Sequence, residues 1–544
     1  MISIQKYSLS SISEPELKLD SDILSLTNIP ITYKEATTGP NRLKWIPAIK
    51  RELSSLEKHK VWTILPREKD MAVVPVKWIF AIKKDGTYKA RLVAVGCRDT
   101  EKYTPAGKAT PTPSSDTVRW LIAHVSYSKI KLIQLDIITA FIHADIDRLK
   151  YVSLGPGVPG NRKNQVCKLN RALYGLVTAP KCWYRTFDAK LRSYGFERSV
   201  REPCLYTKTV GPFTIIALVY VDDVLLACED DALLTQTITQ ISNDFEVKNL
   251  GFPTKFLGID VSVDTNKVIS LSQEPFLEKV LREFQMEDSH PVRNPMLKDN
   301  DYSKLTRNQT NFPYKNVLGN LMWLANYTRP DIAYSVNFLA RFQTNPSEEH
   351  WIMLKRIMRY LNGTRNSGLT FDQRSTSILD TFVDSSFMDD PATKKSTTGY
   401  LIRYHGNNIA WKSRLQRTMS KSTTHAEYIA ICDASTNILF LAHLINETLN
   451  MPNIFPIPLY EDNSACITVC EKTTTRTSLN YLEREELLVR ELFERNKLKP
   501  EKVISKEQIA DIFTKPLTGN QFKYLSSKLI RPIIAVENRR DSET

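Results

Sequence analysis

The chain holds eight cysteines in 544 residues, and no two of them form a Cys-x-x-Cys pair. None of its eight histidines stands beside clustered cysteines at ligand spacing, so no zinc module is evident. Without a regular framework the cysteines read as reduced intracellular thiols. Uninterrupted apolar runs are no longer than a strand, short of the roughly 20 apolar residues that a membrane helix needs. The N-terminus lacks the basic-then-apolar pattern of a secretory leader. Acidic charge is in the minority: 60 Asp and Glu against 74 Lys and Arg leave a net charge of +14 and a pI near 9.2. That balance favours a polyanionic partner, and binding of this kind weakens steeply with salt because counterions leave the phosphates. Apolar matter is ample, 42% of residues, in a chain long enough for about three or four domains.

Two adjacent carboxylates stand out within that apolar matter. Tyr220-Val221-Asp222-Asp223 follows the run Phe213-Thr-Ile-Ile-Ala-Leu-Val219 and precedes Val224-Leu-Leu-Ala-Cys228, which predicts a hairpin with the acids at its tip. A lone Asp-Asp is ordinarily a solvated turn. A second apolar strand, Lys131-Leu-Ile-Gln-Leu-Asp136, also ends in a carboxylate, and if the strands are neighbours the three acids form one cluster. Such a cluster suits Mg²⁺, a hard cation that takes oxygen ligands and keeps several waters.

A separate acidic series occupies the C-terminal part. Asp384 lies in a strand pattern, Thr381-Phe-Val-Asp-Ser-Ser, with two more strands expected at 396–402 and 408–412. A long helix is expected over 420–450 with Glu427 near its start. Pro458-Leu-Tyr-Glu-Asp462-Asn-Ser464 reads as strand into helix, and Gln508-Ile-Ala-Asp511-Ile-Phe-Thr-Lys-Pro516 as the opening of a final helix. Three strands, a helix, then alternating strand and helix form an α/β layer pattern. Taken singly, each acid has a plain structural use as a helix cap or a partner of the helix dipole.

In order along the chain stand residues 45–66 with Val61-Trp62-Thr63, Val76-Lys-Trp-Ile-Phe80, Lys89-Ala-Arg-Leu-Val-Ala-Val-Gly96, Leu135-Asp136, Leu173-Tyr-Gly-Leu176, Tyr220-Val-Asp-Asp223, Phe256-Leu-Gly-Ile259 and Arg329-Pro-Asp-Ile332. This series resembles the reverse transcriptase of copia-type (Pseudoviridae) long-terminal-repeat retrotransposons, and the acidic series after it resembles a ribonuclease H. The resemblance implies a multidomain α+β and α/β chain: a right-hand polymerase of fingers, palm, thumb and connection, followed by a ribonuclease H-like α/β domain. It implies RNA-directed DNA synthesis and cleavage of the RNA strand of the hybrid, with two Mg²⁺ (or Mn²⁺) ions per active site. Asp136 and Asp222 would bridge the metals, supported by Asp223; Asp384, Glu427, Asp462 and Asp511 would hold the hydrolytic pair. Lys89 and Arg91, which share a strand face, would meet the triphosphate, and Phe141 would exclude a ribose 2′-hydroxyl. The implied partners are RNA template, DNA primer, RNA–DNA hybrid, dNTPs and other Gag-Pol products of the element, with no membrane. The implied compartment is the cytoplasmic virus-like particle, with the nucleus second.

Two departures accompany the resemblance. After Tyr-Gly the family reads Leu-Lys-Gln-Ala where this chain has Leu176-Val177-Thr178-Ala179, so a two-donor amide near the nucleotide is replaced by the shorter hydroxyl of Thr178. A family Lys-His pair after the third hydrolytic acid is replaced within Ser478-Leu479-Asn480-Tyr481. The expected organisation is a polar tail over 1–40, fingers and palm over 41–265, thumb and connection over 266–375, a ribonuclease H-like domain over 376–516 and a tail over 517–544. Helices are expected at 275–284, 314–327, 332–344 and 348–361. No aspartic protease signature or integrase zinc module appears, so the expectation is a polymerase plus nuclease portion of a Pol polyprotein. A second reading stays open, a truncated or decayed copy that binds nucleic acid without catalysis.

Overall fold

The computed structural model describes residues 29–83, 85–298, 312–451, 454–471 and 484–533. Most of the expected tail 1–40, the departure at 478–481 and the charged end 534–544 lie outside the described residues. The chain divides into two compact units, one formed by residues up to Pro111 with Ile137–Gly195 and Gln240–Lys248, the other by Thr112–Asp136, Phe196–Thr239 and the chain from Asn249 onward.

In the first unit the helix Arg42–Lys58 buries Trp45, Ala48, Ile49, Glu52 and Leu56, a stripe at three- and four-residue spacing. It covers the antiparallel pair Val76–Ile82 and Tyr88–Ala94, with Trp45 edge-on to Phe80 and Tyr88 at ring-centroid distances of 5.2 and 4.5 Å. A four-stranded sheet orders Trp62–Pro66, Gln165–Leu169, Tyr151–Ser153 and Val73–Val74. The helix Ala179–Ser193 buries Trp183 and Phe187, which close on Phe245 at 5.3 and 5.6 Å. The Tyr174-Gly175 motif is a close backbone crossing: Ala94 N donates to Tyr174 O at 2.8 Å, Gly175 has φ +86°, and a Cβ there would collide with the Ala94 carbonyl oxygen.

The second unit contains the expected hairpin. Phe213–Tyr220 and Asp223–Cys228 pair antiparallel, Lys131–Ile137 adds beside Asp223–Cys228, and Leu205–Val210 and Glu197–Arg198 follow on the other side. The hairpin strands are almost wholly buried, which explains their continuous apolar sequence. The expected helices appear as Glu274–Glu283, Tyr314–Tyr327, Ala333–Ala340 and Glu348–Asn362.

A five-stranded sheet in the same unit runs in the order Asn407–Leu415, Thr397–Tyr404, Leu379–Ser386, Ile457–Glu461, Leu498–Lys502, the first two pairings antiparallel and the last two parallel. The helix Thr423–Leu449 packs on its central strands and starts where the Ser422 side chain accepts from His425 N at 3.1 Å. By length and composition this helix could cross a membrane, but here its apolar residues fill the core over the sheet. Residues 508–516 do not open an α-helix as expected: Ile509–Phe513 is a 3₁₀ turn, Pro516 cannot extend it, and the helix starts at Gly519. Residues 517–533, expected as tail, hold the helix Gly519–Ser526 and an edge strand Arg531–Pro532 that pairs with Ser367–Phe371.

Candidate active site

The hairpin register sets the first carboxylates side by side. Asp223 is opposite Tyr220 within the hairpin and opposite Asp136 across the neighbouring strand pair. Residues directly opposed in this way hold their Cβ atoms about 4.5–5.5 Å apart. Asp222 fills the tight turn after Val221, whose φ of 56° is a left-handed conformation that costs a β-branched residue about 1–3 kcal/mol. Gln134 Nε2 donates to Asp223 Oδ1 at 2.9 Å. Burial pushes the Asp223 carboxyl up to about 6, with Asp222 and Asp136 adding to the rise against the Gln134 hydrogen bond.

The four residues expected at the nucleotide lie in the first unit. Lys89 and Arg91 do share the strand Tyr88–Ala94. Arg91 Nη1 is 2.6 Å from Glu52 Oε2, and its guanidinium lies 5.8 Å from the Tyr174 ring centroid. Burial raises the Glu52 carboxyl, although Arg91 pulls it down. Phe141, half-buried in the 3₁₀ turn Ala140–His143, meets Tyr174 edge-on at 4.9 Å. Thr178 is 2% exposed and precedes the helix Ala179–Ser193, its carbonyl accepting from Cys182 N at 3.0 Å.

The second acidic series converges on the central strand of the five-stranded sheet. Asp384 lies opposite Gly399, where a Cβ would strike Phe513 and Thr514, so glycine lets the 3₁₀ segment settle onto the strand. Gln508 Nε2 donates to Val383 O at 2.9 Å and Thr514 Oγ1 donates to Asp384 Oδ2, fixing that segment with Asp511 beside Asp384. Lys515 Nζ lies 2.8 Å from Asp511 Oδ1 and 3.6 Å from Asp384 Oδ2. Glu427 enters from the long helix, Glu461 ends the strand Ile457–Glu461, and Asp462 follows it. Glu461 Oε1 accepts from Asn463 N at 2.9 Å. Burial raises all the shifted acids: Glu461 to about 8, Asp511 to about 7, Asp384 upward, and Glu427 well above the carboxylate range, with Asp384 the next cause for Glu427 and Asp511.

Residues 59–298 match the family described as "Reverse transcriptase (RNA-dependent DNA polymerase)". The retrovirus-related Pol polyprotein from transposon TNT 1-94 of Nicotiana tabacum is 31% identical over 513 residues, covering 91% of this chain and 38% of that protein. Its counterpart from transposon RE1 of Arabidopsis thaliana is 32% identical over 496 residues, covering 89% and 34%. The chain belongs to the copia-type Pol family. It spans little more than a third of the length of these two relatives. A Saccharomyces cerevisiae Transposon Ty1-NL2 Gag-Pol polyprotein is 26% identical over 544 residues, covering 92% of this chain and 30% of that protein. A solved foamy viral protease-reverse transcriptase in complex with ds DNA superposes with a TM-score of 0.47 at 14% identity, covering 84% of this chain and 69% of that one.

Two residues of this copia-type chain join the second acidic cluster without having been singled out in its sequence, Glu461 and Lys515. Glu461 is fully buried beside Asp462, and the neighbouring acid carried the motif. Lys515 follows Asp511 at i+4, the one spacing signal that was available. Both clusters offer oxygen donors, as a hard divalent cation requires. In the second cluster Glu427 Oε2 and Glu461 Oε2 are buried without a hydrogen-bond partner, so the donor set fits added positive charge. Among the described residues no three His, Cys, Asp or Glu side chains converge closely enough to chelate an ion as they stand; the ammonium of Lys515 lies against two of the acids instead.

Proposed function

We propose that this copia-type Pol chain is an RNA-directed DNA polymerase with ribonuclease H activity, extending a DNA primer on an RNA template from dNTPs and cleaving the RNA strand of the hybrid. The observation that carries the polymerase reading is the register that sets Asp136 opposite Asp223, beside Asp222, at the end of buried strands. The hydrolytic reading is supported by Asp384, Glu427, Glu461, Asp462 and Asp511, acids from four separate stretches of the chain that gather around one strand. Two divalent cations bound at each site would stabilise the entering and leaving oxygens of an in-line displacement. The chain's own part is to hold carboxylates in partly dehydrated positions, where their charge acts more strongly than in water. Lys89, Arg91, Phe141 and Thr178 are assigned to the incoming nucleotide by family resemblance, and Arg91 brings a guanidinium already oriented by Glu52.

Primer extension on poly(rA)/oligo(dT) and hydrolysis of a labelled RNA–DNA hybrid, each with Mg²⁺ or Mn²⁺, test both halves. Asp222→Asn/Asp223→Asn should abolish extension and spare hydrolysis, and Asp384→Asn should do the reverse. Extension that survives the hairpin double variant, or hydrolysis that survives Asp384→Asn, would overturn the corresponding half. A second reading, nucleic-acid binding without catalysis, draws on the burial of Thr178 and the commitment of Arg91 to Glu52. It predicts salt-sensitive hybrid binding by wild type with neither extension nor hydrolysis.

A further inference from the structure

Lys515 is the feature of the hydrolytic cluster that the proposed chemistry leaves unused. Its backbone is held: Lys515 N donates to Asp511 O at 3.2 Å, Thr514 is bonded to Asp384, and Pro516 follows. Its side chain remains 37% exposed while Nζ reaches Asp511 Oδ1 and Asp384 Oδ2. A fixed backbone carrying a partly exposed, flexible side chain can withdraw its charge without disturbing the fold. The ammonium is compact and strongly hydrated on a flexible stem, so it exchanges readily with water, whereas a guanidinium fork would clamp both carboxylates.

Positive charge is needed at this place because several carboxyl groups crowd into a dehydrated space. Like charges there disfavour one another's ionisation, and one neighbouring cation relieves part of that cost. A divalent cation would use the same oxygens. We propose that Lys515 is a built-in stand-in for the cation: its ammonium occupies the place between Asp384 and Asp511 until a divalent ion displaces it into solvent, so that Lys515 sets the ion concentration at which the site fills. This inference rests on the hydrolytic reading of the cluster.

The test uses the full chain carrying Asp222→Asn/Asp223→Asn, so that the hairpin contributes little to ion binding. Mn²⁺ binding is read from the free-ion electron paramagnetic resonance signal. Lys515→Met should bind Mn²⁺ about tenfold more tightly, since a competing unit charge a few ångströms from the ion is removed. Lys515→Arg, which keeps the charge, should bind no more tightly than the parent. Metal-free Lys515→Met should melt lower than the parent and recover with Mn²⁺. In unmutated protein, acetylation of Lys515 by an amine-reactive ester, followed by mass spectrometry, should rise severalfold on adding millimolar Mg²⁺; this arm needs no variant to fold. Unchanged or weaker Mn²⁺ binding by folded Lys515→Met overturns the inference, as does Lys515 labelling indifferent to Mg²⁺. Adding Asp384→Asn to the parent separates the two levels: if Mn²⁺ stoichiometry does not fall, the cluster is not a cation site, and the hydrolytic reading goes with it.

Discussion

Replacing Asp331 by Asn should destabilise the second unit by about 3–5 kcal/mol while leaving the chemistry of each folded molecule intact. Asp331 belongs to Arg329-Pro-Asp-Ile332, a family motif whose acid could be mistaken for a metal ligand. Its carboxylate instead takes Arg329 Nε at 3.0 Å, Nη2 at 2.8 Å and the Tyr360 hydroxyl at 2.6 Å. The guanidinium also donates to Thr364 O at 3.0 Å and Thr364 Oγ1 at 2.7 Å. Arg329 and Asp331 are 2% and 1% exposed, so the clamp joins the chain after Tyr314–Tyr327 to the helix Glu348–Asn362 in a dry interior. Asn keeps the shape but presents donors to donors and strands a buried cation, and breaking a buried pair on one side costs about 3–5 kcal/mol. Against a typical domain stability of about 5–15 kcal/mol that loss is large. Urea unfolding, read by hydrogen exchange in the two helices, measures it. Arg329→Met/Asp331→Leu, which removes both charges, should lose far less. A loss below about 1 kcal/mol for Asp331→Asn would refute the clamp, and primer extension lost at full native stability would place Asp331 in the chemistry.

Three further outcomes are expected. His124, whose Nδ1 lies 3.0 Å from the Tyr404 hydroxyl, is pulled by burial, with His405 adding, from 6.5 to about 4. The unfolded chain therefore takes the proton first: the contribution is complete above about pH 6.5 and is lost as pH falls through about 4, a loss of about 3 kcal/mol. Unfolding free energies of wild type and His124→Gln should diverge by that amount across the window, and parallel curves would sink the assignment. Gly175→Ala should cost several kcal/mol, because a φ of +86° and the Ala94 carbonyl both oppose a Cβ; a variant with unchanged urea midpoint and protease resistance would contradict this. Glu461→Gln should raise metal-free stability by about 1–3 kcal/mol by removing a buried repelling carboxyl, and slow hybrid hydrolysis at least tenfold; unchanged hydrolysis would show that Glu461 is not part of the working site.

That Asp136, Asp222 and Asp223 come together was legible because local pattern and placement coincide there: two apolar strands meet at Asp222-Asp223 and a third ends at Asp136, so the register follows from which residues must be buried. The helices after residue 274 were legible for the same reason, since an apolar stripe at helical spacing needs no knowledge of its partner. What stayed hidden depends on contacts distant in sequence. Glu52 orients Arg91 from 39 residues away, and neither residue announces the other. Glu461 is fully buried although Asp462 follows it directly, a difference that no local pattern in Tyr460-Glu461-Asp462 signals. The turn Ile509–Phe513 was misread as a helix start, because periodicity within 508–516 is helix-like while Pro516 and the seat on Gly399 favour a shorter 3₁₀ segment.

The pairing of Arg531–Pro532 with Ser367–Phe371 has a bearing on how the molecule is made. Ser367–Phe371 pairs on its other side with Ile269–Ser272, about a hundred residues upstream, and the helix Gly519–Ser526 buries Phe522 and Leu525 just before the last strand. Asn408 Nδ2 donates to Lys528 O and Leu529 O, tying the same segment to a third region. Contacts of such separation close late and slowly. A ribosome that has delivered every acid of both clusters, the last being Asp511, has still not delivered the strand that covers this sheet edge. A stop codon just after Asp511 would thus spare each acid yet release a chain with an unpaired strand and bared apolar surface, a template for aggregation. For this chain, keeping the acidic residues and keeping a foldable protein are separate requirements, and the second reaches further along the message than the first.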